Sequence, residues 1–277
     1  MALLTRRRLL LTAPAAPLGA ARPRLKLGAM DGVCGKRSNP EAVQVARRVG
    51  CDALQVTLGP ADAGGKLKLA DPGLQARFRE EARRYKVELV STYLDALHTN
   101  CLKNDPAAMQ RVRDGIGITR SLQAKILMLV FFGKCALDNR AEMDAVTGPL
   151  KELAAEARRA GVTLGFENTI PAEDDLRILD AVSSPALKIY YDIGNATNLC
   201  GVDPAREIRM LRGRICQFHF KDKTYLGEGK VDVRAALRAI DDIGFRGAIV
   251  LETGSPSKNV ESDLLRNRRY LAGLLGR

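Results

Sequence analysis

Eight short apolar runs alternate with longer amphipathic stretches along almost the whole chain. Strict alternation of strand-like and helix-like segments predicts parallel strands joined by right-handed helical crossovers. Eight such units in 277 residues match the size of a closed α/β barrel. The predicted strands are residues 25–29, 53–58, 87–93, 125–131, 163–167, 188–192, 216–221 and 248–252. We therefore expect a single-domain (β/α)8 TIM barrel over residues 22–277.

An open, doubly wound sheet is the main alternative for the same alternation of segments. Its usual sign is a GxGxxG phosphate loop after the first strand, whereas residues 28–35 read GAMDGVCG. Several helical stretches also open on Asn or Asp followed by proline, at residues 39, 71, 105 and 203. In such pairs the polar side chain caps the helix and proline takes its first position. These signals favour the barrel.

The stretch 215–222, ICQFHFKD, contains His219, one of only two histidines in the chain. The two-residue period of a strand places its apolar side chains on one face and Gln217, His219 and Lys221 on the other. An imidazole, an amide and an ammonium on one face indicate a functional site. The other histidine, His98, follows the third predicted strand and is expected to contact substrate at the same mouth of the barrel; the alternative is an ordinary loop histidine.

Three further predicted strands end in a carboxylate, and these are Glu167, Asp192 and Glu252. In a β/α barrel the carboxyl ends of the strands form the face that carries the active site. Four consecutive units therefore each place one metal-type ligand on that face. Three carboxylates and one imidazole suit one divalent ion, with Mn²⁺, Mg²⁺ or Co²⁺ favoured and Zn²⁺ as an alternative.

Several motifs resemble those of a known family: FENT at 166–169, YYDIGNATN at 190–198, HFKD at 219–222, LGEG at 226–229 and VLET at 250–253. From about residue 25 to its end, the chain resembles the xylose-isomerase-like TIM-barrel family of sugar and sugar-phosphate isomerases and epimerases, with most likeness to ketose 3-epimerases. The resemblance implies that Glu167, Asp192, His219 and Glu252 bind the metal. It also implies that Glu167 and Glu252 transfer protons.

The same resemblance implies substrate contacts at Asn195 and Lys221. Moving a proton next to a ketose carbonyl requires a base, a Lewis acid for the enediolate and, for inversion, an acid on the opposite face. Two glutamates beside a metal meet that need. We therefore expect a metal-dependent sugar isomerase or epimerase that acts on a small-molecule sugar.

The same residues leave other functions open. An exported lyase or hydratase of keto-sugars or glycosides would use the same metal site, and a non-catalytic sugar-binding barrel would bind without turnover. A DNA-repair endonuclease of a related barrel needs a zinc cluster with several histidines, but this chain has two.

The formal net charge of +12 is high enough for nucleic-acid binding to be an alternative. Because Lys and Arg interleave with Glu along predicted helices, as in residues 76–86, solvated helix faces and no nucleic-acid partner are expected.

Six cysteines occur without a CxxC pair, which argues against a zinc ribbon or a thioredoxin-type motif. We expect them to be mostly buried thiols. The sequence leaves homo-oligomerisation open.

Residues 1–21 differ from the rest of the chain because they contain no acid and include TRRRLL at positions 5–10. This pattern, followed by a short apolar run and a small-residue site around Ala20 and Ala21, is typical of a twin-arginine export signal. The apolar run is too short for a stable membrane anchor. An exported, periplasmic protein is expected. The alternative is a basic tail or a misplaced start codon on a cytoplasmic protein.

Overall fold

Every predicted strand is present in the computed structural model of the chain, which describes residues 25–277. The strands are β1 (Lys26–Met30), β2 (Ala53–Thr57), β3 (Glu88–Tyr93), β4 (Ile126–Phe131), β5 (Thr163–Asn168), β6 (Leu187–Asp192), β7 (Ile215–Phe220) and β8 (Ala248–Leu251). No end differs from its predicted position by more than one residue. Each strand pairs in parallel with the next, and β8 pairs with β1 to close the barrel. The predicted single-domain (β/α)8 TIM barrel is confirmed.

A helix follows each strand and covers the outside of the barrel. These helices are α1 (Glu41–Arg48), α2 (Pro72–Tyr85), α3 (Pro106–Ser121), α4 (Arg140–Ala160), α5 (Ala172–Val182), α6 (Pro204–Met210), α7 (Val233–Asp242) and α8 (Val260–Leu274). Asp71, Asp105 and Asp203 each accept a hydrogen bond from a backbone N–H in the first turn of the helix that follows. The Asp-Pro pairs therefore start helices as the sequence predicts.

The two faces of β7 are both buried, although they differ in chemistry. Phe218 and Phe220 point out toward the helices, and Phe218 packs edge-to-face on Phe245 with ring centroids 4.9 Å apart. Gln217 and His219 point into the barrel. Because helices cover a parallel sheet from outside, the polar face lies inside the barrel and not in solvent.

The expectation of thiols is wrong for two of the six cysteines, because Cys101 and Cys135 form a disulfide. They lie 34 residues apart in sequence, but in the loops that follow the neighbouring strands β3 and β4, with Cα atoms 5.0 Å apart. Sequence spacing alone does not show that these two loops meet. The remaining four cysteines are free thiols, and Cys34 and Cys51 are buried as expected.

The predicted export signal, residues 1–21, lies outside the described residues. Within residues 25–277, none of the helices combines the length and the apolar character needed to cross a bilayer.

Candidate metal centre

All four predicted metal ligands lie together at the carboxyl ends of β5 to β8. Glu167 lies near the end of β5, Asp192 ends β6, His219 lies near the end of β7, and Glu252 directly follows β8. One ligand atom from each side chain lies within 4.8 Å of the others. Because adjacent parallel strands point alternate residues inward, four separate sequence segments converge on one point.

His219 is the centre of this group. Its Nδ1 atom lies 3.2 Å from Oε1 of Glu167 and 3.1 Å from Oε2 of Glu252. The side chains of His219 and Glu167 are 0% and 1% exposed, whereas that of Glu252 is 22% exposed. Glu252 therefore lies on the solvent side of the group, and Glu167 lies beneath it.

Lys221 brings a positive charge into the same group. Its Nζ donates a hydrogen bond to Oε2 of Glu252 at 2.8 Å and lies 2.7 Å from Oδ2 of Asp192. The contact with Asp192 is an ion pair, and this Oδ2 accepts no other hydrogen bond. The sequence correctly placed Lys221 on the same side as His219. Its contact with substrate remains a prediction.

Burial and neighbouring charges together set the pKa values of these groups. Burial disfavours the charged imidazole, but the carboxylates of Glu252 and Glu167 outweigh this effect and raise the pKa of His219 to about 10. Burial raises the pKa of Asp192 to about 7, against the opposing charge of Lys221. Burial would also raise the pKa of Glu252, but His219 and Lys221 hold it well below its usual range. Within the protein, the carboxylates of this group are thus balanced by His219 and Lys221.

The donor set fits a divalent cation. Oε2 of Glu167 is buried without a hydrogen-bond donor, and Oδ2 of Asp192 has only its ion pair with Lys221. Leaving a buried carboxylate oxygen without a partner costs free energy, and coordination of a cation would remove that cost. Three carboxylates and an imidazole are also the ligands that Mn²⁺ and related ions prefer. The four side chains could therefore hold one divalent ion.

Asp192 is oriented by the turn that follows β6. Its Oδ1 accepts hydrogen bonds from the backbone N–H groups of Gly194 at 2.7 Å and Asn195 at 3.0 Å. A Cβ atom on Gly194 would lie 2.4 Å from Cγ and 2.7 Å from the carbonyl oxygen of Lys221. The glycine of the DIGN motif therefore makes room for Lys221 beside Asp192.

We expect Gly194→Ala to lower the free energy of unfolding by about 1–3 kcal/mol, because the added methyl group meets backbone that cannot easily move. Denaturant unfolding measures this change. Gly148→Ala is the control, since Gly148 lies in α4 and a Cβ there meets nothing within 4 Å. Equal stability of the Gly194→Ala protein and the unmodified protein would contradict the steric role of Gly194.

The other predicted substrate contacts, His98 and Asn195, lie outside the group of four ligands. His98 ends a short helical segment after β3, is hydrogen-bonded through Nε2 to the hydroxyl of Tyr93, and packs on Phe132. Burial lowers its pKa. Asn195 is buried and is held through its backbone by Asp192. Contact of these two side chains with substrate remains a prediction.

Asn168 supports the loop after β5 and does not bond Glu167. Its Oδ1 accepts from the N–H of Ile170 at 2.9 Å, and its Nδ2 donates to Oδ1 of Asp175 at 2.7 Å.

Gln55 was not among the predicted site residues. It lies across the barrel from His219 and is hydrogen-bonded to its imidazole. A glutamine in the middle of the otherwise apolar segment ALQV is the signal that could have found it.

Comparison with known proteins gives one family match and many matches of fold. Residues 43–273 match the model of the xylose isomerase-like TIM barrel family. A 2-epi-5-epi-valiolone 7-phosphate 2-epimerase from Actinoplanes sp. is 26% identical over 212 residues, which cover 73% of this chain and 77% of that protein.

Two solved structures illustrate the likeness of fold. The D-allulose 3-epimerase from Methylomonas sp. superposes with a TM-score of 0.73 at 17% identity, covering 91% of this chain and 98% of that one. The 3-keto-D-glucoside 4-epimerase from E. coli superposes with a TM-score of 0.71 at 13% identity, covering 92% and 100%. At these identities the comparison establishes a shared barrel.

Proposed function

The chain belongs to the xylose isomerase-like TIM barrel family, and from that premise we propose that it is a metal-dependent sugar epimerase or isomerase. The observation that carries the proposal is the group Glu167, Asp192, His219 and Glu252, whose ligand atoms lie within 4.8 Å of one another at the active-site face of the barrel. The Actinoplanes relative, a 2-epi-5-epi-valiolone 7-phosphate 2-epimerase, supports epimerisation as the reaction class.

The two glutamates are the groups that would move protons. Both lie beside His219 Nδ1, so they flank one small volume from different strands. One carboxylate would take the proton from the carbon next to a ketose carbonyl, and the other would return a proton on the opposite face. A divalent ion held by the four side chains would supply a Lewis acid for the negative charge that develops on the substrate oxygens.

Lys221 and His219 have supporting roles in this proposal. Neighbouring carboxylates hold the pKa of Lys221 well above its usual range, despite burial, so the side chain remains an ammonium beside Glu252. From there it can donate a hydrogen bond to a substrate oxygen. His219 is fully buried and surrounded by carboxylates, which suits a ligand better than a general base exposed to substrate.

A deuterium-washout screen tests the proposal. Protein loaded with Mn²⁺ is incubated in D₂O with free and phosphorylated ketoses, and both exchange and product are followed. We expect exchange with at least one ketose, lost when the metal is removed by chelator or when His219 is replaced by Ala. Metal-loaded protein that neither exchanges nor converts any member of the panel would overturn the proposal. An elimination product would assign the site to a keto-sugar lyase instead.

We further propose that residues 1–21 direct export from the cytoplasm. The proposal is supported by the acid-free TRRRLL leader and by the Cys101–Cys135 disulfide, because disulfides persist in oxidising compartments. Replacing Arg6 and Arg7 with Lys should leave the protein in the cytoplasm with its leader attached. Fractionation and intact mass measure both properties. An unchanged distribution, with the full leader retained in both proteins, would contradict export by this route.

A further inference from the structure

The two ring nitrogens of His219 face different partners. Nδ1 faces the carboxylates of Glu167 and Glu252, whereas Nε2 lies 2.8 Å from Oε1 of Gln55 on β2. Gln55 and His219 are both fully buried inside the barrel. One nitrogen of the imidazole therefore faces the candidate metal ligands, and the other faces an amide.

Two further contacts of Gln55 show which way its amide points. Its Nε2 lies 3.0 Å from the hydroxyl of Tyr190 and 3.5 Å from Sδ of Met128. A thioether sulfur only accepts hydrogen bonds, so the amide nitrogen faces Met128 and the amide oxygen faces His219. The same hydroxyl accepts from Nε2 of Gln217 at 3.0 Å, and Gln217 also donates to Oγ of Ser91 at 3.0 Å. An amide oxygen accepts hydrogen bonds and never donates them. The nitrogen of His219 that faces Gln55 must therefore carry the hydrogen.

The strand pairing is irregular where this network lies. The register between β2 and β3 shifts at Leu54/Gln55, and that between β6 and β7 shifts at Ile189/Tyr190. These shifts place Ser91 beside Gln55 and Gln217 beside Tyr190. An extra residue in one strand of a pair reverses the face on which every later side chain lies. The two shifts therefore direct Ser91 and Gln217 into the barrel. The backbone thus departs from regular pairing in the two strand pairs that support His219.

We propose that Gln55 is a positioning residue that accepts the Nε2 hydrogen of His219 and so reserves Nδ1, with its lone pair, for the metal. The inference rests on the proposed function, since it concerns the same metal site. A divalent ion would bind the neutral imidazole, so the hydrogen on Nδ1 that faces the two glutamates would be released on binding. The neutral ring keeps one N–H, and an acceptor beside Nε2 makes Nδ1 the nitrogen that is free to be the ligand. Loss of such an outer partner typically weakens metal affinity by about 10- to 100-fold.

The test compares Gln55→Met with a matched control, Gln217→Met. Both glutamines are buried in the barrel and donate to the hydroxyl of Tyr190, but only Gln55 contacts His219. Mn²⁺ affinity is measured by titration calorimetry on proteins shown to be folded by denaturant unfolding. We expect affinity to fall by about 10- to 100-fold in Gln55→Met and to change little in Gln217→Met. Gln55→Glu, which restores an oxygen acceptor, should recover most of the loss.

The imidazole itself provides a readout that general loosening of the core would not change. With two histidines in the chain, protein labelled with ¹⁵N-histidine gives signals from two rings, and His98→Gln assigns them. In the Zn²⁺-loaded unmodified protein, Nε2 of His219 should carry its hydrogen and exchange it slowly with water. In Gln55→Met that hydrogen should exchange faster or be shared between the nitrogens.

The outcomes separate this inference from the proposed function. An unmodified protein that binds no Mn²⁺ overturns the proposed function and this inference with it. An unmodified protein that binds Mn²⁺, with equal affinity and an unchanged His219 spectrum in Gln55→Met, overturns the role of Gln55 alone. Equal losses in Gln55→Met and Gln217→Met would also overturn it, because they would indicate a packing effect.

Discussion

Replacing either Glu167 or Glu252 with Gln should lower the rate of net conversion by about 10²- to 10⁴-fold, the contribution typical of one general acid or base. Inversion needs a base on one face of the substrate and an acid on the other, so loss of either stops the cycle. Proton exchange need not stop with it. The variant that keeps the glutamate facing the substrate's hydrogen can remove and return that hydrogen on one side.

The experiment measures deuterium exchange and product formation separately for Glu167→Gln and Glu252→Gln. Glutamine keeps one oxygen, so metal content is measured as well, to separate lost proton transfer from lost binding. Glu207→Gln is the matched control, because Glu207 is also buried but bonds the hydroxyl of Tyr191 outside the metal group. Near-normal conversion by either test variant would show that its carboxylate is a ligand only.

Metal content should fall from one ion per chain to near zero in His219→Ala and Asp192→Ala. Each change removes one of the four side chains whose ligand atoms lie within 4.8 Å of one another. The loss of affinity should exceed the roughly 10- to 100-fold typical of an outer partner. Elemental analysis after dialysis against metal-free buffer measures the result.

The chain offers a control for each of these two changes. His98→Ala removes the second histidine, which lies outside the group, and should retain the metal. Asp192→Asn keeps an oxygen that can accept from the N–H groups of Gly194 and Asn195, so the turn is preserved. Any metal lost in this variant is then due to the missing negative charge. Unchanged metal content in His219→Ala and Asp192→Ala would eliminate this site.

The fold and the meeting of the four candidate ligands could be predicted because both follow from local sequence patterns. The periodicity of strands and helices and the Asp-Pro helix starts can be recognised within a few residues of sequence. Once a strand is assigned, a polar residue at its carboxyl end is known to lie at the active-site face of the barrel. The convergence of Glu167, Asp192, His219 and Glu252 follows from closure of the barrel.

The partners in the supporting contacts could not be predicted, even where a residue such as Gln55 stands out in its strand, because they depend on which strands face each other across the barrel. Gln55 bonds His219 from a strand 164 residues away in sequence, through pairings whose register shifts leave no clear local signal. The pairing of Lys221 with Asp192 likewise depends on the space left by Gly194. The Cys101–Cys135 pairing required the loops after β3 and β4 to be placed first.

That disulfide also changes the covalent connectivity of the chain. Residues 101–135 become a closed ring that contains α3 and β4. A protease that cuts once inside this ring opens a loop but releases no fragment, and in denaturant the two pieces separate only when a thiol reductant is also added. Among the described residues, this is the segment in which the backbone can be nicked while the molecule stays in one covalent piece.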